Sequence, residues 1–447
     1  MTGIDLSSYT EAVSQIEPLK IYGRVVEITG IIIRATGVRA SIGESCRIFS
    51  DNDFSIEAEV VGFRDGQVLL MAIGDLGGIR LGSRVLPINK RVTVKVSPFL
   101  KGKVINDRGE PLDGKGPING FGYPLFSLTP NPLKRQRISE PIDLGIRAIN
   151  GLLTCGKGQR IGIMSGSGVG KSVLLGMIAR NSEASINVIA LIGERGREVR
   201  EFIEKDLGED GIKKSIVVVS TSEQPPLAKV RGALAATAIA EYFRERGENV
   251  LLLMDSLTRV AQAQREIGLA TGEPPTTKGY TPSVFSLLPK LLERVGTCEK
   301  SGSITAIYTV LVEGDDLSEP VADAARALLD GHIVLSRELA IENHYPSIDV
   351  LQSISRVMPD IIDTFHLEYA SKFIETLAIY KKFEDMINLG AYKEGTNTKV
   401  DYAISMIDRL KGYLRQGTSE KFDLSDSIQD LYLIFEKTKL TNEQTQN

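Results

Sequence analysis

Gln159 to Ile178 constrains this chain more than any other stretch: an apolar run interrupted at Gly166, Gly168 and Gly170, then Lys171 and Ser172. Glycine accepts the left-handed backbone angles that turn successive N–H groups inward, and a helix starting just beyond adds the positive end of its dipole. A loop so built holds phosphate. Lys171 supplies charge for the outer phosphates, and the Ser172 hydroxyl is placed to bind the magnesium ion that accompanies them. The strict pattern asks for glycine where this chain has Ser165, but the context is right. A buried strand, Ile161 to Met164, enters the loop, and a helix with Leu174, Leu175 and Ile178 on one face leaves it. A glycine-rich turn without ligand is the bland alternative, and it has no use for Lys171. The residues expected to touch the nucleotide are Ser165, Gly166, Ser167, Gly168, Val169, Gly170, Lys171, Ser172 and Val173.

Around this loop the pattern is that of an α/β protein with two flanking domains. Residues 1–20 are polar and acidic, with Ile4, Leu6, Val13, Ile16 and Leu19 at spacings that could line one face of a short helix, and read either as a frayed terminus or as a partner-binding segment. Residues 21–95 alternate short β-branched runs with glycine turns (Gly23 to Ile28, Ile31 to Arg34, Ile56 to Phe63, Gln67 to Ile73 and Arg91 to Val96), which suggests a small closed barrel. In residues 96–358 a proline- and glycine-rich linker precedes buried strands at Asn187 to Ile192, Ser215 to Ser220, Val250 to Met254 and Ser303 to Leu311. None alternates with period two, as expected of parallel strands covered on both faces. Residues 359–447 read as a helical domain, broken near Gly390 to Thr396 and Gly412 to Ser419, with a polar tail from Thr438.

Composition removes several function classes. A net charge of -4 with 25% charged residues does not mark a polyanion binder by bulk charge, and the barrel lacks the basic and aromatic interleaving of a nucleic-acid binder, so no nucleic-acid partner is expected. No apolar run approaches the ~20 residues of a membrane span, and the N-terminus lacks a signal-peptide layout, which makes a cytoplasmic chain the expectation. Three cysteines without paired spacing and three scattered histidines point to neither zinc nor disulfides.

Two acidic residues complete the chemistry. Val250 to Met254 ends in Asp255, at the strand tip where α/β folds place ligands, and Asp255 can anchor magnesium through water. Val188 to Ile192 runs into Gly193-Glu194-Arg195-Gly196-Arg197-Glu198, which puts Glu194 beside a terminal phosphate, able to orient a water and accept its proton. A helix-start acid stabilised by the dipole fits Glu198 better than Glu194.

Taken in order, Gly166 to Ser172, Gly193 to Glu198, Met254 to Arg259 and Gly272 to Tyr280 resemble the rotary ATPase family, and within it the flagellar type III export ATPases, from about Ile21 to Phe435. The resemblance implies a parallel-sheet core of the RecA-like kind between a β-barrel and a helical domain, and a homohexamer that binds ATP and magnesium at its subunit interfaces. It gives Glu194 the role of catalytic glutamate with Arg195 near the phosphates, makes Asp255 the magnesium-coordinating aspartate, and makes Arg356 an arginine finger for the neighbouring subunit. Tyr345 matches the aromatic that stacks on adenine, with Phe422 as the opposite wall. Gly268 to Tyr280 and Leu389 to Thr396 resemble segments facing a central stalk protein. The branch uses a small residue at Ser165, and Val260 stands where it usually carries tyrosine. The further implied partners are a stator-like regulator at the N-terminus, export-gate membrane proteins, export substrates and their chaperones, with the ring held peripherally at the membrane. The rivals are a virulence injectisome ATPase and, further off, the catalytic subunit of a proton-coupled ATP synthase, which usually has threonine after the loop lysine. A regulatory ring that holds nucleotide without turnover conflicts with Lys171 and Glu194 both being present.

Overall fold

The computed structural model describes residues 20–444 apart from 51–53, 75, 115, 300, 313 and 315, with the backbone alone at 89–91 and 437–444. The expected partner-binding segment thus lies outside the described residues, apart from residue 20. Two compact units emerge, one running to Val92 and taking in Ile267–Glu273, the other made of Thr93–Glu266 and the chain from Pro274 on.

The first unit is a closed antiparallel barrel of six strands, β1 Gly23–Thr29, β2 Ile32–Thr36, β3 Glu44–Phe49, β4 Ser55–Arg64, β5 Gln67–Ala72 and β6 Arg84–Arg91, in the order β1-β2-β5-β4-β3-β6. Ile33, Cys46, Ile48, Val60, Leu70 and Val85 fill its interior. Two of these strands escape the sequence pattern. β3 carries Glu44, Ser45 and Arg47 among its few apolar residues, and β6 contains Pro87, which faces Cys46 just beyond a shift in register. Proline removes a ladder donor and argues against a strand interior, so the sheet tolerates it at an irregularity. The expected run Arg91 to Val96 is therefore corrected: Arg91 ends the barrel, while Thr93–Val96 pairs with Phe121–Pro124 in a separate ribbon.

The second unit is built on a sheet whose main strands are β7 Lys103–Asn106, β8 Arg160–Ser165, β9 Ile186–Ile192, β10 Ser215–Ser220, β11 Asn249–Asp255, β12 Ser303–Leu311, β13 Gly331–Leu335 and β14 Ile348–Ser355. The order is β14-β13-β8-β12-β11-β9-β10-β7, with every pair parallel except β13 with β14. Entirely buried β9 and β10 show why a continuous apolar run, rather than alternation, marks strands with helices on both faces. Register sets the functional rim: Ser165 pairs with Leu311, Leu191 with Asp255 and Ile192 with Ser220, so the C-terminal tips of β8, β12, β11, β9 and β10 stand side by side.

Helix α1, Arg147–Leu152, lies under the helical part of the chain, and α2, Lys171–Asn181, follows the phosphate loop with Leu174, Leu175 and Ile178 buried. The long helix α3, Pro226–Glu245, is buried over most of its length, including the charged Glu241. Glu241 meets Arg294 through two hydrogen bonds of 2.9 and 2.7 Å, and Arg294 donates a third, of 2.7 Å, to the Leu125 carbonyl. Both side chains are nearly solvent-free, at 3% and 2% exposure. Removing one partner strands the other charge in the interior, so Arg294→Met should lower the free energy of unfolding by about 3–5 kcal/mol. The urea midpoint measures this, and adding Glu241→Leu should return part of the loss.

Three helices close the chain: α4 Thr364–Asn388, α5 Thr398–Leu414 and α6 Leu424–Gln444. The Asp363 side chain caps α4 by accepting from the His366 amide at 2.8 Å, and Asn397 caps α5 through the Lys399 amide at 3.0 Å. The expected break at Gly390 to Thr396 falls between α4 and α5; the one at Gly412 to Ser419 starts too early, since α5 runs on to Leu414, and α6 continues through Thr438 into what reads as a polar tail. Phe373, Leu410, Tyr413 and Leu431 pack with Ile149 and Leu152 of α1, giving the helices and the sheet one core.

Candidate active site

The loop between β8 and α2 has the backbone its glycines promise. Gly168 and Gly170 have φ values of 77° and 87°, and a Cβ added at Gly168 would meet no heavy atom within 4 Å, leaving open space above the loop. A Cβ at Gly170 would stand 3.4 Å from the ring of Tyr345. Val169 is buried and its carbonyl accepts a 2.7 Å hydrogen bond from Ser347 Oγ, which fixes the loop to the segment before β14. Ser165 is buried at the root of the loop, and its Oγ has no hydrogen-bond partner among the described residues. Ser172 is half-buried in the first turn of α2, whereas Ser167, Gly168 and Val173 are exposed.

Lys171 lies between two carboxylates. Its ammonium bonds to Asp255, at the tip of β11, and stands 3.5 Å from Glu194, just past the tip of β9. Thr309 of β12 donates to Asp255 Oδ1 at 2.6 Å and so orients that carboxylate from the strand between β8 and β11. Burial opposes the charge on Lys171, but Asp255 and Glu194 outweigh it, and the lysine's pKa is raised. Glu194 behaves differently: burial first, then repulsion from Asp255, pushes its carboxyl up to about 7 against the pull of Lys171. A carboxyl poised near neutrality beside a fixed cation and a glycine-rich loop can exchange a proton with water next to a polyanion.

The other expected residues do not join this cluster. Arg195 is exposed and pairs with Glu198 at 3.4 Å. Arg356 follows β14, and because that strand runs antiparallel, Ser355 pairs with Gly331 at the start of β13. Arg356 therefore sits on the rim opposite the phosphate loop; β13 has five residues, so the two rims are roughly 15 Å apart. Its Nη2 donates to the Arg326 carbonyl at 3.2 Å. Tyr345 is on the loop's own side, partly exposed, while Phe422 lies in the segment before α6 with the Arg147 guanidinium 4.2 Å over its ring. Next to Tyr345, His344 is buried, and that burial, together with Arg415 and Lys411, holds its pKa down to about 4. Val260 is wholly buried and packs as core. Sequence reasoning missed Thr309, Ser347 and Arg147; a hydroxyl two residues from the end of an apolar strand beside the loop was the available signal for Thr309.

Three family models match in succession: the β-barrel domain of the ATP synthase alpha/beta family over residues 25–89, its nucleotide-binding domain over 145–355, and the T3SS EscN ATPase C-terminal domain over 362–432. The flagellum-specific ATP synthase of Bacillus subtilis is 53% identical over 94% of this chain and 97% of that protein. The chain belongs to the type III export ATPase family. The type 3 secretion system ATPase of Xanthomonas euvesicatoria is 48% identical over 89% of this export ATPase and 90% of its own length, so flagellar and secretion-system relatives both fit. Among solved structures, the assembled EscN ATPase of enteropathogenic E. coli superposes with a TM-score of 0.88 at 44% identity, covering 92% of this chain and 99% of EscN. EscN in complex with its central stalk EscO matches with a TM-score of 0.85 at 43% identity over the same shares. This export ATPase is a nucleotide-binding enzyme that hydrolyses ATP. Among the described residues, no helix is long and apolar enough to cross a membrane.

Proposed function

We propose that the chain is the ATPase ring of a flagellar export apparatus and that Glu194 is its catalytic base. The observation that carries this is the Lys171 ammonium between Glu194 and Asp255 on a phosphate loop at the sheet's C-terminal rim. In this reading Lys171 and the amides from Gly166 to Ser172 hold the β- and γ-phosphates, and Glu194 draws a proton from the water in line with the terminal phosphorus. Phosphate charge arriving at Lys171 loosens its hold on the two carboxylates and leaves Glu194 to the water. Ser172 and Asp255 fit magnesium: a hydroxyl and a carboxylate are hard oxygen donors, and Thr309 keeps the carboxylate turned toward the loop. Magnesium bound there would supply neutralisation of the phosphate charge. Tyr345 and Phe422 face the base, Arg195 approaches the phosphates, and Arg356 serves the neighbouring protomer of a homohexamer, the assembly suggested by assembled EscN.

The EscN–EscO complex supports a stalk protein in the ring's axis, facing Gly268 to Tyr280 and Leu389 to Thr396. A stator-like regulator at residues 1–20, export-gate proteins, substrates and chaperones complete the proposed partners, with the ring in the cytoplasm against the membrane apparatus. The 53% identity to the Bacillus subtilis flagellum-specific ATP synthase supports the flagellar reading, while secretion-system relatives at 48% fit the same site. The C-terminal match to an EscN domain speaks against the proton-coupled synthase. Magnesium-dependent phosphate release from ATP by the purified chain, lost in Glu194→Gln, tests the enzymatic assignment, and filament assembly in a deletion strain tests the flagellar one.

A further inference from the structure

We propose that Gln416 is a positioning residue for nucleobase recognition, through which the helical part of the chain sets Tyr345 and Phe422 against the phosphate loop. The inference rests on the proposed role of Tyr345 in holding the base.

Gln416 is polar yet only 5% exposed, in the turn that follows α5. A buried primary amide must use both its oxygen and its nitrogen or lose its hydration without compensation. Here Oε1 accepts from the Arg147 amide at 2.9 Å, and Nε2 donates to the carbonyls of Gly145 and Glu420 at 2.9 and 3.0 Å. Its own main-chain N–H donates to the Tyr345 carbonyl at 3.0 Å. One residue thus joins the start of α1, the turn before α6 and the loop bearing Tyr345. From Tyr345 the connection reaches the phosphate loop in a single step, through Ser347 Oγ and the Val169 carbonyl.

Arg147 gives the turn its shape on the other side. Its guanidinium donates to the carbonyls of Gly412, Tyr413 and Arg415, closing the end of α5, meets Asp430 at 3.2 Å, and covers the ring of Phe422. Asn150 Nδ2 donates to the Phe422 carbonyl at 3.2 Å. Gln416 is the piece of this network that also holds Tyr345. If the turn shifts, the ring beside Gly170 shifts first, because the phosphate loop is anchored at both ends by β8 and α2 in addition to its single bond from Ser347.

The test separates base from phosphate. Binding of ADP and of inorganic pyrophosphate, which lacks the base, is measured on the full chain for wild type, Tyr345→Ala, Gln416→Leu and Gln416→Glu. Glutamate keeps the size and the acceptor to Arg147 but loses both donors, so it serves where leucine prevents folding. The expected result is about tenfold weaker ADP binding in each Gln416 variant with pyrophosphate binding unchanged. Equal weakening of both ligands assigns Gln416 a general structural role and overturns the inference, as does unchanged ADP binding. If Tyr345→Ala itself leaves ADP binding intact, the base-holding role of Tyr345 is what fails; if Tyr345→Ala weakens ADP and the Gln416 variants do not, the positioning role fails alone.

Discussion

Arg356→Ala should lower ATP turnover by about 10³–10⁵-fold, the range for loss of an arginine finger, while the isolated chain still binds nucleotide. The geometry makes the expectation sharper than a list of motif residues does. Arg356 leaves β14 at the rim where the parallel strands begin, and Lys171 opens α2 beyond the rim where they end. A guanidinium reaches about 7 Å from its Cα, well short of a separation of roughly 15 Å. Within this protomer the Arg356 guanidinium is instead engaged with the Arg326 carbonyl on its own rim, away from the phosphate loop. In the proposed homohexamer each interface would take Glu194 from one protomer and Arg356 from the next. Mixing the inactive Arg356→Ala and Glu194→Gln chains should then restore turnover, because some interfaces receive both intact residues. Failure of every mixing ratio to restore phosphate release, with mixed rings verified by mass, would place Arg356 outside the trans mechanism.

What the sequence tells and what it hides divide along physical lines. Buried parallel strands such as β9 and β10 are legible because both faces are covered, and the run from Gly166 to Ser172 is legible because few other purposes need three alternate glycines before a lysine. β3, β6, β7 and β13 were missed. β3 and β6 mix charges and a proline into strands whose pairing is long-range, and β7 is a four-residue edge strand inside a glycine-rich linker. The apolar run of β13, Gly331–Leu335, is short, and its place beside the phosphate-loop strand is a tertiary fact. The same holds at the site. Lys171, Glu194 and Asp255 announce themselves by position at strand tips, but Thr309 and Ser347 act by orienting a carboxylate and a carbonyl that lie far off in sequence. Arg147 and Gln416 are separated by 269 residues, and nothing local to either hints at the other.

Glu194→Gln should reduce hydrolysis by about 10²–10⁴-fold with ATP binding retained, since glutamine keeps the shape and polarity but cannot accept a proton from water. The pH dependence tells a base from a mere ligand. Wild-type Glu194, held up to about 7 by burial and by Asp255, is protonated and idle below that pH, so kcat/KM should fall on the acid side of neutrality and the residual rate of the variant should not. Stability should move the other way. A carboxyl whose folded pKa lies above its unfolded value of 4.5 binds its proton more tightly in the native state, so the native state loses stability as pH rises from about 4.5 through about 7. Glutamine carries no such charge. Glu194→Gln should therefore melt above wild type at pH 8, with the gap closing toward pH 5. A variant that loses turnover while gaining stability has given up a group the fold holds at a cost, which is the signature of a catalytic residue rather than a structural one. An equal loss of stability and activity at pH 8 would assign Glu194 to the scaffold.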